Sequence, residues 1–326
     1  MPTDNSASGG SLPPLHIAIS DYDHVSSLWT EPGISPLSLT FVHPPIAEIF
    51  RRFLAGEWAV AELSLGAYVA RRSRGDDSLT AIPVFPSRLF RHSALFVRNN
   101  GQIRTFADLA GRRIGLASWS QTAGIYVRAL LAHDHGVPLA GVEWVFGGIN
   151  RPGAGESDAG MPAGWRHHTR DDVSLDALLA AGEIDAVISP YLLESARGPA
   201  PVTARLTPPS ITDESDYFRR TGIFPIMHVV ALRRELHAAY PSLAPALLAA
   251  FEAAKQRSFA RFDDPTLSRF PFPWAAEQAR QARSLFGDDF WPYGIEPNRT
   301  TLEAFLAYAR EQGVAARPLT PEELFS

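Results

Sequence analysis

The chain contains no cysteine and a single lysine, Lys255, among its 326 residues. The absence of cysteine excludes disulfide bonds, thiolate nucleophiles, cysteine-bound zinc and cysteine-bound iron–sulfur clusters. Lys255 stands beside Glu252, Gln256 and Arg257 in a helical pattern, and lysine in such surroundings usually faces solvent. We therefore expect an exposed Lys255 and no Schiff-base or pyridoxal-phosphate chemistry, because both need a buried reactive amine.

Long apolar runs and dense positive charge are also missing. No stretch approaches the roughly 18 apolar residues that a membrane span needs. The formal net charge is −5 and no basic cluster stands out, so a nucleic-acid partner is not expected. The first residues, MPTDNSASGGSLPP, lack the basic start and apolar core of a secretory signal. We expect a disordered tail over 1–14 and a cytoplasmic protein that acts on a small molecule.

Short apolar runs alternate with amphipathic segments, which is typical of βαβ units and mostly parallel sheets. The predicted strands are 15–19, 37–42, 59–63, LTAIPVF, SALFVR, RRIGLAS, 142–146, 186–189 and 226–233. A Gly- and Pro-rich surface loop is predicted over 147–172, and three helices over roughly 241–262, 274–286 and 298–313. The predicted fold class is α/β with two lobes. One lobe comprises 15–105 and 222–326, and the other is an inserted lobe of 106–221.

Ligands of such folds bind at the carboxyl ends of parallel strands and between lobes. This rule selects the residues that directly follow each predicted strand. They are Asp21 to Asp23, His43, Glu62, Ser64, Pro86 to His92, Ser118 to Thr122 and Ser189.

Several long motifs resemble one enzyme family. They are SDYDH (20–24), AELSLGAYVARRSRGD (61–76), AIPVFPSRLFRHSALFV (81–97), RRTGIFPIMH (219–228) and DDFWPYGIEPNRTTLEAFL (288–306). These segments resemble the 4,5-dihydroxyphthalate decarboxylases, and the likeness runs from about residue 15 to the end of the chain. The resemblance implies a type II periplasmic-binding-protein-like fold and a carboxy-lyase of phthalate degradation. The loop GGINRPGAGESDAGMPAGWRHH and the stretch after Ser189 are less typical of the family.

The implied reaction converts 4,5-dihydroxyphthalate to protocatechuate and carbon dioxide. Loss of carbon dioxide becomes possible when the para hydroxyl is deprotonated and the ipso carbon is protonated, because the resulting dienone accepts the electrons of the C–C bond. The chemistry implies no cofactor. The protein must supply cations for a dianion, a base for the phenol, a proton donor for carbon and exclusion of water.

Arginine is suited to binding the dianionic substrate, because its planar guanidinium group donates two hydrogen bonds to one carboxylate. Arg88 and Arg91 in FPSRLFRHS are the first candidates, and Arg220 is a further one. A surface or interlobe salt bridge is the alternative role for the pair.

Histidine and buried carboxyl groups are the candidates for proton transfer. His92 adjoins the arginines and titrates near neutral pH, although a structural hydrogen bond is the alternative. His228 lies in an apolar strand, which favours a structural or supporting role. Asp21 and Glu62 end predicted strands, where a desolvated carboxyl could deliver a proton to carbon; helix capping or salt bridging is the competing interpretation.

Other residues are expected to line the substrate. Ser118, Gln121 and Thr122 open a helix whose free N–H groups suit a carboxylate, with Ser120 as the predicted N-cap. Ser64 and Ser189 follow strands, and the Tyr22 ring could stack on the substrate or belong to the core. No metal site is expected, because His133 and His135 fall at a helix end without further ligands.

Two other functions stay open at this point. An aromatic-acid solute-binding protein of an ABC-type uptake system would use the same fold without turnover. A lyase acting on another hydroxylated aromatic acid is the second. The sequence leaves the oligomeric state undetermined.

Overall fold

The computed structural model describes residues 14–31, 33–155, 160–264, 266 and 270–326, so nearly all of the predicted tail lies outside the described residues. The chain forms two compact units. Unit 1 comprises the described part of Met1–Leu63, Ser78–Pro86 and Val230–Gln281. Unit 2 comprises Ser64–Asp77, Ser87–Val229 and Ala282–Ser326.

The strands build two separate mixed sheets. They are β1 (Leu15–Ala18), β2 (Leu39–Val42), β3 (Val60–Ser64), β4 (Leu79–Ile82), β5 (Leu95–Arg98), β6 (Arg113–Leu116), β7 (Glu143–Phe146), β8 (His167–Thr169), β9 (Ala186–Ile188), β10 (Thr203–Arg205) and β11 (His228–Arg233). One sheet has the order β2-β1-β3-β11-β4 and the other the order β10-β5-β9-β6-β7-β8. The predicted α/β class is confirmed.

Helices alternate with the strands and then close the chain. They are α1 (Asp23–Thr30), α2 (Ile46–Leu54), α3 (Leu65–Ser73), α4 (Thr122–Ala129), α5 (Leu175–Ala181), α6 (Ile211–Thr221), α7 (Arg234–Ala239), α8 (Leu243–Asp263), α9 (Ala275–Phe286), α10 (Arg299–Glu311) and α11 (Pro321–Leu324). The three predicted C-terminal helices correspond to α8, α9 and α10. Among the described residues, no helix is both long and apolar enough to cross a membrane.

In unit 1, β1 pairs in parallel with both β2 and β3. Every residue of β3 is buried, as expected for a central parallel strand. Its sequence VAELS nevertheless places one acid, Glu62, among apolar residues. The parallel pairing of β1 and β3 brings Glu62 to the residues that follow β1.

In unit 2, β6 pairs in parallel with β7 and β9, and β5 runs antiparallel to β9 and β10. The apolar core of this sheet includes Phe96, Val145 and Val187, packed with Leu175 and Leu178 of α5. The predicted lobe of 15–105 includes β5, whereas the structure pairs this strand within the second sheet. Antiparallel pairing carries no local sequence signal that could have revealed this partner.

Strand β8 lies inside the segment predicted to be a loop, which corrects that prediction. All three residues of β8 are exposed, so the strand lacks the apolar alternation that sequence analysis depends on. In the part of the chain that the structure describes, it is the edge strand of its sheet and pairs with β7. Residues 156–159 of the same segment lie outside the described residues.

Two helix starts test the capping predictions. Ser64 caps α3, since its side chain accepts the Ala67 N–H at 3.5 Å. The predicted cap Ser120 is wrong, because α4 begins at Thr122 and Gln121 occupies the N-cap position. The Ser120 hydroxyl lies instead 3.3 Å from the hydroxyl of Ser118.

Candidate functional site

Two residues predicted for the site, Glu62 and Tyr22, are in contact at the strand ends of unit 1. Glu62 is 0% exposed. Its Oε2 accepts the backbone N–H of Ser20 at 2.9 Å, and its Oε1 accepts the Tyr22 hydroxyl at 2.6 Å. Asp21, between these two donors, is exposed. Both donors stabilise the charged form of the Glu62 carboxyl.

His24 lies in the first turn of α1 and was missed by the sequence analysis. Its ring centroid is 5.4 Å from that of Tyr22. Burial lowers the pKa of His24 to about 4, although Asp23, Glu62 and a hydrogen bond with the Pro86 carbonyl act in the opposite direction. The imidazole is therefore neutral at pH 7. Since one ring nitrogen donates to the Pro86 carbonyl, the other carries the lone pair.

Lys255 is buried, which corrects the sequence prediction. The side chain is 0% exposed, and its Nζ lies 2.9 Å from Oε1 of Glu252. Its positive charge adds to the lowering of the His24 pKa, of which burial is the main cause. An exposed Lys255 was expected because its neighbours in the sequence are polar. The residues four positions away, Phe251 and Phe259, share its helix face and are both buried.

In unit 2 the amino ends of α3 and α4 meet. The hydroxyls of Ser64 and Thr122 lie 2.9 Å apart, and the Gly66 N–H donates to Oγ1 of Thr122 at 2.9 Å. A Cβ on Gly66 would lie 2.1 Å from the carbonyl oxygen of Ser120, so only glycine allows this approach. The structure thus brings Ser64 together with the predicted helix-opening residues Ser118, Gln121 and Thr122.

A buried arginine holds the loop before α4 in place. Nε of Arg128 donates to Oε1 of Gln312 at 2.7 Å, and another guanidinium nitrogen donates to the Trp119 carbonyl at 2.6 Å. The guanidinium carbon lies 3.7 Å from the centroid of the Trp119 ring. Burial lowers the pKa of Arg128 to about 9.

Arg88 is buried in an extended segment that bridges to Ile226. Its guanidinium donates to the Phe224 carbonyl at 3.0 Å and lies 4.5 Å above the ring of the same residue. Burial lowers the pKa of Arg88 to about 10, which leaves the group charged at neutral pH. Main-chain carbonyls therefore hold the Arg88 cation in the described structure.

Arg91 and His228 belong to the two segments that the bridge between Arg88 and Ile226 brings together. Nε of Arg91 donates to Sδ of Met227 at 3.0 Å, and the His228 N–H donates to the Ser87 carbonyl at 3.3 Å. The Met227 carbonyl accepts the Leu65 N–H at 2.9 Å. That bond connects the segment bearing Arg91 and His228 to the amino end of α3.

His92 and Arg220 meet in a surface pocket of about 560 Å³. The His92 ring centroid is 4.9 Å from that of Tyr217, and burial lowers the pKa of His92. Arg220 donates twice to the Asp134 carboxylate, at 3.2 and 2.9 Å. Two further acids, Asp213 and Asp216, line the pocket, so carboxylates outnumber arginines there.

Ser189 and the histidines near the end of α4 have contacts of their own. The Ser189 hydroxyl donates to the carbonyl of Tyr191 at 2.9 Å and accepts its N–H at 3.0 Å, which forms a turn after β9.

Nε2 of His133 lies 2.7 Å from Oε2 of Glu311. The His135 ring stacks on Phe106 at 4.5 Å. Within the described ranges, no group of three or more His, Asp or Glu side chains is placed to hold a metal ion.

Comparison with solved structures identifies the class of fold. The periplasmic aliphatic sulphonate-binding protein SsuA from Escherichia coli matches with a TM-score of 0.53 at 14% identity, covering 97% of this chain and 92% of that one. The alkanesulfonate-binding protein SsuA from Xanthomonas axonopodis pv. citri, bound to MOPS, matches with a TM-score of 0.51 at 14% identity, covering 97% of each chain. The predicted periplasmic-binding-protein fold is confirmed.

Comparison with curated proteins identifies the family, although no family model matches. The 4,5-dihydroxyphthalate decarboxylase of Comamonas testosteroni is 34% identical over 317 residues, which cover 95% of this chain and 96% of that protein. The enzyme of the same name from Pseudomonas putida is 35% identical over 182 residues, covering 54% of this chain and 70% of that protein. The chain belongs to the 4,5-dihydroxyphthalate decarboxylase family of carboxy-lyases.

Proposed function

We propose that the protein decarboxylates 4,5-dihydroxyphthalate to protocatechuate and carbon dioxide without a cofactor. The observation that carries this proposal is the 34% identity to the Comamonas testosteroni decarboxylase over 95% of the chain. The buried Glu62 with its two donors supports it, because proton transfer needs a positioned and desolvated carboxyl group. The predicted cytoplasmic location belongs to the same proposal.

The reaction consumes one proton and redistributes two electrons within the ring. A base removes the proton of the hydroxyl para to the departing carboxylate, and a proton is added to the ipso carbon. The C–C bond then breaks, its electron pair restores the aromatic ring, and the phenol is protonated again. The ring itself accepts the electrons, which is why we propose that no cofactor takes part.

Glu62 is the proposed base for the phenol. Its place at a strand end suggests a proton donor to carbon, whereas the N–H of Ser20 and the hydroxyl of Tyr22 both stabilise its carboxylate form. A carboxylate accepts a proton, so the hydrogen bonds favour the role of base. Asp21 and His92 remain the proposed donors of the proton to carbon.

The residues around the amino end of α4 are the proposed contacts to the carboxylates of the substrate. The amino end of α4 lies beside the hydroxyls of Ser64 and Thr122, and the amino end of a helix is suited to an anion. Arg91 is connected to this region through Met227. We propose Arg91 as the main cation, because the Met227 residue that it contacts is itself bonded to the amino end of α3. Gln121, Ser118, Ser189 and His228 stay predicted contacts.

The direct test is to incubate the purified protein with 4,5-dihydroxyphthalate and follow the formation of protocatechuate by liquid chromatography. A panel of other hydroxylated phthalates and benzoates runs beside it. We expect protocatechuate to form at a rate proportional to protein concentration. If another acid of the panel is converted much faster, the substrate is wrong. If a ligand binds tightly and is recovered unchanged, the protein is a solute-binding protein.

A further inference from the structure

Helix α4 of unit 2 holds a fully buried cation beside its amino end. Arg128 is the seventh of the eight residues of α4 and is 0% exposed. Helical side chains lean toward the amino end of their helix, and the Arg128 guanidinium reaches back to donate to the Trp119 carbonyl at 2.6 Å. A Cβ on Gly124, in the first turn of α4, would lie 3.0 Å from Nη1 of Arg128. The cation therefore lies beside the first turn of the helix.

This position is unfavourable for a cation for two reasons. The amino end of a helix carries partial positive charge, which repels a guanidinium group. Burial removes the water that would otherwise solvate the charge. In the part of the chain that the structure describes, no acidic side chain is paired with Arg128, and its Nη1 is buried without a hydrogen-bond partner. The protein thus keeps a positive charge at the end of α4 that is not neutralised and attracts anions.

Gln312, directly after α10, fixes the Arg128 guanidinium in place. Its Oε1 accepts Nε of Arg128 at 2.7 Å, and its Nε2 donates to the Ile125 carbonyl at 3.0 Å. Its main-chain carbonyl accepts the indole N–H of Trp119 at 2.9 Å. Gln312 is 3% exposed, and its neutral amide holds the guanidinium without cancelling the charge, as a carboxylate would. These contacts preserve both the position and the charge of Arg128.

We propose that Arg128 is a positioning residue that makes the amino end of α4 a binding site for one carboxylate of the substrate. This inference rests on the proposed function. Arg128 acts through the loop 118–121, whose Trp119 carbonyl it holds, and through its buried positive charge. The positive potentials of the helix end and of the guanidinium add, so both attract the same anion. A bound carboxylate supplies the negative charge that Arg128 lacks among the described residues.

The first experiment measures the binding of phthalate by isothermal titration calorimetry. Phthalate has both carboxylates of the proposed substrate but no hydroxyl group, so it binds without turnover. In Gln312→Glu, the new carboxylate keeps the hydrogen bond to Arg128 and cancels its charge, so Kd should rise about 10-fold. Gln312→Met removes the hydrogen bond but leaves the charge, and Kd should rise less. Gln102→Glu adds the same charge at an exposed position of unit 2 and should leave Kd unchanged.

The comparison of the two Gln312 variants separates an electrostatic role from a purely structural one. If folded Gln312→Glu binds phthalate as tightly as Gln312→Met does, or more tightly, the charge of Arg128 has no role in binding and the proposal is overturned. Wild-type protein that binds no phthalate at millimolar concentration overturns it as well. Neither result depends on the decarboxylation assay, so the proposed function and this inference can fail separately.

A second experiment uses the wild type and covers the case in which the Gln312 variants do not fold. With [15N]arginine labelling, the Nε–H resonance of Arg128 is identified by its contact with the Trp119 ring, whose centroid lies 3.7 Å from the guanidinium carbon. We expect this resonance to shift as phthalate saturates the protein. Arg52, which lies over the Trp58 ring in unit 1 and is paired with Glu57, is the internal control and should not shift. An Arg128 resonance that stays in place at saturation contradicts the proposal.

Discussion

Glu62 is a fully buried acid in an otherwise apolar central strand. Burial of a carboxylate costs several kcal/mol unless hydrogen bonds and opposite charge compensate. The donors at Ser20 and Tyr22 supply part of that compensation. The sequence predicted Glu62 from its place at a strand end, but it could not predict His24 and Lys255, whose burial depends on how α1 and α8 pack.

Replacement of Glu62 by Gln should preserve the fold and remove the base. General-base catalysis contributes roughly 100- to 10,000-fold, and kcat should fall by that factor. Tyr22→Phe removes one hydrogen bond to the carboxylate and should cost less, about 10-fold. Steady-state kinetics on variants with wild-type circular dichroism measure both. A Glu62→Gln variant with normal kcat would exclude Glu62 as the base.

Arg91→Ala tests the proposal that Arg91 binds a carboxylate of the dianionic substrate. Loss of a charge-assisted contact in a water-poor site should cost about 2 to 4 kcal/mol, or roughly 30- to 1,000-fold in kcat/KM. Arg220→Ala is the control, because Arg220 is 59% exposed and its surface ion pair with Asp134 contributes little. Equal losses in both variants, or none in Arg91→Ala, would count against the assignment.

His24 makes a testable contribution to the pH dependence of stability. Its pKa in the folded protein is about 4, below the ordinary value of about 6.5 in the unfolded chain. Between these values the unfolded state binds more protons, so this contribution is present above pH 6.5 and is lost as the pH falls toward 4. From pH 7 to pH 5 the loss should be about 2 kcal/mol.

Urea unfolding of the wild type and of His24→Gln at both pH values measures this difference. The variant should lose less stability over the interval than the wild type by that amount. The other titrating groups are common to both proteins and cancel in the comparison. Parallel curves would show that His24 is not buried in its neutral form.

At the scale of elements, the sequence predicted β1, β3, β7, β9, β11 and the C-terminal helices well, because each carries a regular apolar pattern. It missed β8 because an exposed edge strand has no such pattern. It also placed the N-cap of α4 at Ser120, since serine is a common cap, whereas tertiary contacts of Thr122 with Ser64 and Gly66 decide where the helix begins.

The contact between α3 and the loop before α4 predicts the effect of Gly66→Ala. The added Cβ would lie 2.1 Å from the Ser120 carbonyl oxygen, so the loop must move. We expect a loss of about 1 to 3 kcal/mol in unfolding free energy, together with a raised KM, because Thr122 moves with the loop. Gly141→Ala is the control, since the nearest atom to its Cβ would be 3.9 Å away. Equal stability and KM for the two variants would refute this role of Gly66.

At the scale of the whole molecule, the family and the α/β class followed from motifs and alternating patterns along the chain. The positions of site residues within each unit did not, because they depend on strand pairing between distant segments. The pairing of β1 with β3 joins Tyr22 to Glu62, and the segment 87–91 meets 225–228 through the bridge between Arg88 and Ile226. Neither arrangement can be derived from local sequence.

The central claim is that a proton replaces the departing carboxylate without help from a metal or an organic cofactor. The most direct measurement is to run the reaction in D₂O with protein dialysed against a strong chelator, and to analyse the product by NMR. We predict protocatechuate with one deuterium at C6, the carbon that lost the carboxylate, and a rate equal to that of untreated protein. Loss of activity on chelation with recovery on adding a metal, or a product without deuterium at C6, would contradict the account.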